Sequence, residues 1–165
     1  MDSYFGSKAT SGLCQPIIAM MPPHDTYIET HLGGGAIMRR KPPALHNIGI
    51  DLDPQALAEF ECDYPVRRIN GCAHQFLAEY DYRGSELIYS DPPYLRHTRS
   101  SKRRYRFDYE QQDHIELLEL LLADGGAPVE LEAEGEGLHL GPVLGVVLEA
   151  VVRGADGVHV REGFV

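Results

Sequence analysis

The sequence has no Cys-x-x-Cys pair, no His-x-x-x-His spacing and no apolar run of membrane-spanning length. Its three cysteines, Cys14, Cys62 and Cys72, cannot all pair with one another, and they read as free thiols of a reducing compartment. The eight histidines fall at no metal-ligand spacing, so no metal is expected. A spanning helix needs about 18 consecutive apolar residues, which the chain lacks. Met1-Asp2-Ser3-Tyr4 carries neither the basic start nor the apolar core of a signal peptide. These absences predict a soluble, cytoplasmic protein. Its 165 residues suffice for one domain with a real core.

Positive charge is also scarce, since the net charge is −10. Phosphate contacts need Lys and Arg, so the total argues against nucleic acid until its distribution is considered. Residues 124–165 hold eight acidic and two basic side chains, which leaves the body at only −4. That body carries one dense basic run, Arg96, Arg99, Lys102, Arg103, Arg104 and Arg106, with aromatic and hydroxyl residues among the cations. Charge runs are commonly solvated loops. A local patch, however, is what a nucleic acid meets, and this one suits contact with DNA phosphates.

The body alternates strand-like and helix-like segments. Leu13, Ile17, Ile18 and Met20 recur at helical spacing until Met21-Pro22-Pro23. Thr26-Tyr27-Ile28-Glu29 reads as a strand, and it runs into the tight turn His31-Leu32-Gly33-Gly34-Gly35 before a helical stretch. A second strand, 46–51, ends on Asp51, about 20 residues after the turn, where an acidic side chain suits ribose hydroxyls. Asp53-Pro54 looks like a helix cap and first turn, with Ala56, Leu57 and Phe60 as the apolar stripe. A weak third strand at 66–69 precedes a short helix to about Tyr80, and a fourth spans 86–90. A helix from Tyr109 to Leu122 should bury Ile115, Leu118, Leu121 and Leu122. The expected fold is α/β with a mostly parallel sheet.

At the end of the fourth strand stands Asp91-Pro92-Pro93-Tyr94. Two prolines stop any regular element and stiffen the chain between a carboxylate and an aromatic ring. Asp91 and the Pro92 carbonyl could accept both hydrogens of an exocyclic amino group while Tyr94 stacks on its ring. Glycine turn, Asp51 and this motif all fall at carboxyl ends of expected strands, where open α/β sheets bind ligands. A dinucleotide is disfavoured, because Met38 occupies the third glycine position of Gly-x-Gly-x-x-Gly.

In this order, the glycine turn, Asp51 and Asp-Pro-Pro-Tyr resemble the S-adenosylmethionine-dependent amino-methyltransferases. Over roughly residues 3–122 the chain resembles a DNA adenine-N6 methyltransferase. The resemblance implies a Rossmann-like methyltransferase fold acting on double-stranded DNA, with Asp91, Pro92, Pro93 and Tyr94 as catalytic residues. It implies S-adenosylmethionine held by Tyr4, Lys8, Glu29, Gly33, Gly35, Asp51 and Asp91. Relatives place an acidic residue near Cys72, beside the cofactor's adenine, and here a thiol stands instead; Cys72 itself reads as a buried, inert cysteine. Cytosine N4 and RNA remain alternative acceptors.

From Asp124 the composition changes. Residues 124–165 lack Lys, Ser, Thr, Asn, Gln, Ile, Met, Cys and Tyr, and thirty of the forty-two are Gly, Ala, Val, Asp or Glu. All five have codons beginning with G, as expected when a GC-rich gene is read out of frame near residue 123. The alternative is a natural low-complexity acidic tail. The expected division is therefore a partial catalytic domain, 1–123, and an atypical tail, 124–165. Either the catalytic unit works, or the chain is a relic that binds cofactor or DNA without turnover.

Overall fold

The computed structural model describes residues 14–19, 21–92, 110–123, 148–154 and 157–162. Tyr4, Lys8, Pro93, Tyr94 and the cations from Arg96 to Arg106 lie outside these described residues.

The elements follow one another as α1 (Cys14–Ala19), β1 (Thr26–Glu29), α2 (Ala36–Arg40), β2 (His46–Asp51), α3 (Pro54–Glu59), β3 (Arg67–Asn70), α4 (Ala73–Glu79), β4 (Glu86–Ser90), α5 (Gln111–Ala123), β5 (Leu148–Gly154) and β6 (Gly157–Glu162). They form an α/β fold around one sheet of order β3-β2-β1-β4-β5-β6. The first four strands are parallel, and β5 and β6 add antiparallel beyond β4. Strand β5 meets β4 with Ser90 opposite Val151 and Ile88 opposite Arg153.

Strands β1, β2 and β4 form where expected because their runs are apolar on both faces. All residues of β1 and β4 are buried, the mark of parallel strands covered by helices on each side. Tyr27, Leu87 and Tyr89 pack with Ile17 of α1, Ile37 and Met38 of α2, and Leu57 and Phe60 around α3. The alternate residues Ile28, Ile48, Ile50 and Ile88 pack with Leu77 of α4 and Leu117 and Leu121 of α5. Three layers result.

Two expectations shift. Strand β3 occupies Arg67–Asn70, one residue later than 66–69, and its side chains are mostly exposed. Helix α5 buries Leu117 and Leu121, while Ile115 and Leu118 are only half-buried. Its leucine-rich sequence offers two adjacent stripes, and contact with α4 selects the i, i+4 pair. Asp53 caps α3 as its sequence suggests, accepting from Gln55 N at 3.0 Å with Pro54 in the first turn.

Candidate active site at the carboxyl edge of the sheet

Parallel strands β3, β2, β1 and β4 deliver Asn70, Asp51, the glycine turn and Asp91 to one edge of the sheet. Leu32 N continues β1 by donating to Ile50 O at 2.8 Å, and Gly35 N closes the turn on Leu32 O at 2.7 Å. Gly33 and Gly35 have φ of 49° and 63°, a region costly for residues with a Cβ. At Gly35 a Cβ would also lie 2.2 Å from Phe60 Cε2. The glycines are there for backbone shape and close packing.

Asp51 is half-buried. Its Oδ2 accepts Gly33 N at 2.7 Å and its Oδ1 accepts Asp53 N at 2.8 Å. Burial pushes its carboxyl upward, opposed by those amide bonds. A carboxylate has about four acceptor positions, so this geometry leaves room for ligand hydroxyls. Asn70, to which sequence reasoning gave no role, donates from Nδ2 to Asp51 O and Leu52 O, both at 3.0 Å. It fixes the end of β2 and the loop carrying Leu52, whose side chain is 37 % exposed beside Asp51. The only sequence signal for it is an amide at a strand end.

Glu29, expected at the cofactor, is buried behind the turn. Its Oε2 accepts Tyr27 OH at 3.0 Å and Met38 N at 3.1 Å. Burial raises its carboxyl to about 8, Asp91 adds to the rise, and the bonds from Tyr27 and Met38 and the Lys41 charge oppose it. Lys41 is itself lowered to about 8 by burial, with Nζ 4.2 Å from the Tyr27 ring centroid.

Asp91 is half-exposed and Pro92 buried immediately past β4. The strand beneath them is stitched to β1: Thr30 N donates to Tyr89 O at 3.1 Å, and Thr30 Oγ1 to Ser90 Oγ at 2.8 Å. Cys72 is the N-terminal cap of α4 and half-buried. His74 Nε2 lies 2.7 Å from the Asp113 carbonyl, which can only accept, so Nε2 donates. The other ring nitrogen, Nδ1, lies 3.7 Å from Cys72 Sγ. Cys72 is thus engaged with an imidazole and is only partly shielded.

Among the described residues, no group of three or more His, Cys, Asp or Glu side chains could hold a metal ion. Nor is any described helix long and apolar enough to cross a membrane. The structure brings together Glu29, Gly33, Gly35, Asp51, Asp91 and Pro92; the remaining expected site residues lie outside the described chain. No family model matches this chain, and neither the curated proteins nor the solved structures yield a match.

Proposed function

We propose that this chain is an S-adenosylmethionine-dependent amino-methyltransferase whose acceptor is the N6 amino group of adenine in DNA. The observation that carries the reading is the Asp51–glycine-turn junction on β1 and β2, one strand away from Asp91-Pro92 on β4. A nucleoside with free ribose hydroxyls suits Asp51, which retains acceptor capacity. A pyrophosphate suits the turn poorly, because Gly33 N and Gly35 N are already spent on Asp51 and Leu32. That favours an adenosyl cofactor without phosphates over a dinucleotide.

Asp51 and the Gly33–Gly35 turn would hold the cofactor, with Glu29 behind them and Tyr4 and Lys8 closing the pocket as the sequence resemblance implies. Bound there, the cofactor supplies an electrophilic methyl group. Asp91 and the Pro92 carbonyl accept the two hydrogens of the acceptor amino group and orient its lone pair, and Tyr94 stacks on the extruded base. The basic run from Arg96 to Arg106 would meet the backbone phosphates.

A second reading rests on the tail. Enzymes of the resembled family continue with further strands that wall the base pocket, whereas here the second edge of β4 is taken by antiparallel β5, from the compositionally odd segment. On that reading the chain binds cofactor or DNA without turnover. Labelled methyl transfer from S-adenosylmethionine to mixed-sequence DNA, run beside calorimetry, separates the two. Label in N6-methyladenine supports the enzyme, and cofactor binding without label supports the relic. Label in N4-methylcytosine or RNA moves the acceptor, and absence of both binding and transfer removes the proposal.

A further inference from the structure

Thr30 and Ser90 are polar residues inside the sheet, 1 % and 0 % exposed. Beneath them Ile28 stands beside Ile88 in the parallel register of β1 and β4. Two residues further along each chain, on the same face, the row is filled by hydroxyls instead. Thr30 Oγ1 donates to Ser90 Oγ at 2.8 Å, and the same oxygen meets His31 Nδ1 at 2.8 Å. One hydroxyl thus touches the residue before Asp91 and the residue that opens the turn into Gly33. It does so where the strands part. In the order β3-β2-β1-β4 the chain winds outward from β1 on one side and then crosses to β4 on the other. Such a switch point is where open α/β sheets form their ligand crevice. Past Thr30 the backbone of β1 turns to β2, with Leu32 N on Ile50 O, while β4 runs into Pro92, which has no amide hydrogen to offer. The hydroxyl pair lies at the base of that crevice. A threonine and a serine buried there must satisfy each other, since an unbonded hydroxyl in a dry interior is costly. Apolar residues of similar shape would carry no such demand.

We propose that Thr30 is a positioning residue for methyl transfer: its hydroxyl, bonded to Ser90 and His31, fixes the spacing between the Asp91-Pro92 acceptors and the glycine turn of the cofactor half. The inference deepens the proposed function and rests on it for the reaction. The link from Thr30 to Asp91 is independent of any ligand. Methyl transfer needs the attacking nitrogen and the methyl carbon held about 3–3.5 Å apart and in line, and a small misplacement is felt in the rate. Loss of the Thr30 hydroxyl should therefore slow transfer and leave cofactor affinity nearly unchanged. A group that served stability alone would affect the rate only as far as it affected folding.

The test compares Thr30→Val, which keeps the branched shape without the hydroxyl, with Thr30→Ser, which keeps the hydroxyl, both in the full chain. Single-turnover transfer of labelled methyl to DNA at saturating cofactor should fall about tenfold or more in Thr30→Val and stay within about threefold of wild type in Thr30→Ser. Affinity for S-adenosylhomocysteine, by calorimetry, should change by less than about twofold in both. Adding Ser90→Ala to Thr30→Val removes the orphaned partner hydroxyl. The double variant should be at least as stable to denaturant as Thr30→Val, and it should still transfer slowly. An unchanged rate in Thr30→Val, an equal loss in Thr30→Ser, or a rate that recovers with stability in the double variant overturns the proposal. A ligand-free arm serves a chain without turnover. The Asp91 amide resonance, in protein isotope-labelled at Asp amides and identified by its loss in Asp91→Asn, should shift in Thr30→Val and hold its place in Thr30→Ser. A resonance unmoved in Thr30→Val overturns the proposal. If wild type neither binds S-adenosylmethionine nor transfers methyl while that shift is present, the proposed function falls and the Thr30–Asp91 link stands.

Discussion

The Asp51 carboxylate accepts the Gly33 amide at 2.7 Å, joining the end of β2 to the turn that leaves β1. Eighteen residues separate the two in sequence, and the bond sets the shape of the candidate cofactor edge. Asp51→Ala removes the acceptor for both Gly33 N and Asp53 N. It should cost about 1–3 kcal/mol in denaturant unfolding and weaken S-adenosylmethionine binding by roughly tenfold in calorimetry. Asp51→Asn keeps one acceptor and should retain more of the stability than of the affinity. Unchanged binding in both variants would exclude Asp51 from the cofactor site.

Gly35 carries a different load. With φ at 63° and Phe60 Cε2 2.2 Å from any Cβ, Gly35→Ala combines backbone strain with a clash in the core. We expect a loss of about 2–4 kcal/mol, from the left-handed penalty plus overpacking. A double-mutant cycle with Phe60→Leu separates the two. Relief of the clash should appear as a favourable coupling of about 1 kcal/mol or more, with the strain remaining. Strict additivity would mean that the Phe60 ring moves aside without cost.

The raised Glu29 carboxyl makes a signed prediction about pH. Its folded value, about 8, lies above the ordinary 4.5, so between these limits the folded state holds a proton that the unfolded state has released. Stability from this group is therefore full below pH 4.5 and declines as pH rises toward 8. Glu29→Gln keeps an oxygen for Tyr27 and Met38 and cannot ionise. Relative to wild type, it should be near neutral at pH 5 and more stable by a few kcal/mol, to order of magnitude, at pH 8.5. The comparison cancels His31, lowered by burial and by His74 and His114, since both proteins contain it. A constant stability difference across the window would mean that Glu29 folds ionised.

The strands at 26–29, 46–51 and 86–90 were legible because buried parallel strands write themselves as short apolar runs ended by Gly, Asp or Pro. Strand β3 was less so, since its mostly exposed side chains give no pattern with which to fix its register. Gly33, Gly35, Asp51 and Asp91 could be placed at the carboxyl edge from strand ends alone. What each touches could not. The bonds Asp51–Gly33 and Glu29–Met38 exist only once α2 folds back over the sheet, and no local pattern encodes them. Glu29 is the instructive case: the family resemblance implied cofactor contact, while the structure spends its Oε2 on Tyr27 and on the start of α2.

The last prediction concerns Asp91 itself. An exocyclic amino nitrogen on an aromatic base is a poor nucleophile, because its lone pair is delocalised into the ring. Two acceptors fixed at the end of β4 would draw its hydrogens into a more tetrahedral arrangement and free that lone pair. Asp91 and the Pro92 carbonyl are suited to this because the strand beneath them is tied to β1 through Thr30, Tyr89 and Ser90. Such preorganised acceptors matter most where charge develops in the transition state, so Asp91→Ala should slow methyl transfer by about 10²-fold or more. Binding of S-adenosylhomocysteine, which lacks the sulfonium charge, should change far less. Tyr94→Ala should lose about 1–3 kcal/mol of base stacking, and Tyr94→Phe should largely keep it. The measurement is single-turnover transfer of labelled methyl to DNA at saturating cofactor, in this chain or, if this chain is silent, in a version with the reading frame after residue 123 restored. Transfer to adenine at the parental rate by Asp91→Ala would show that the amino group is activated elsewhere.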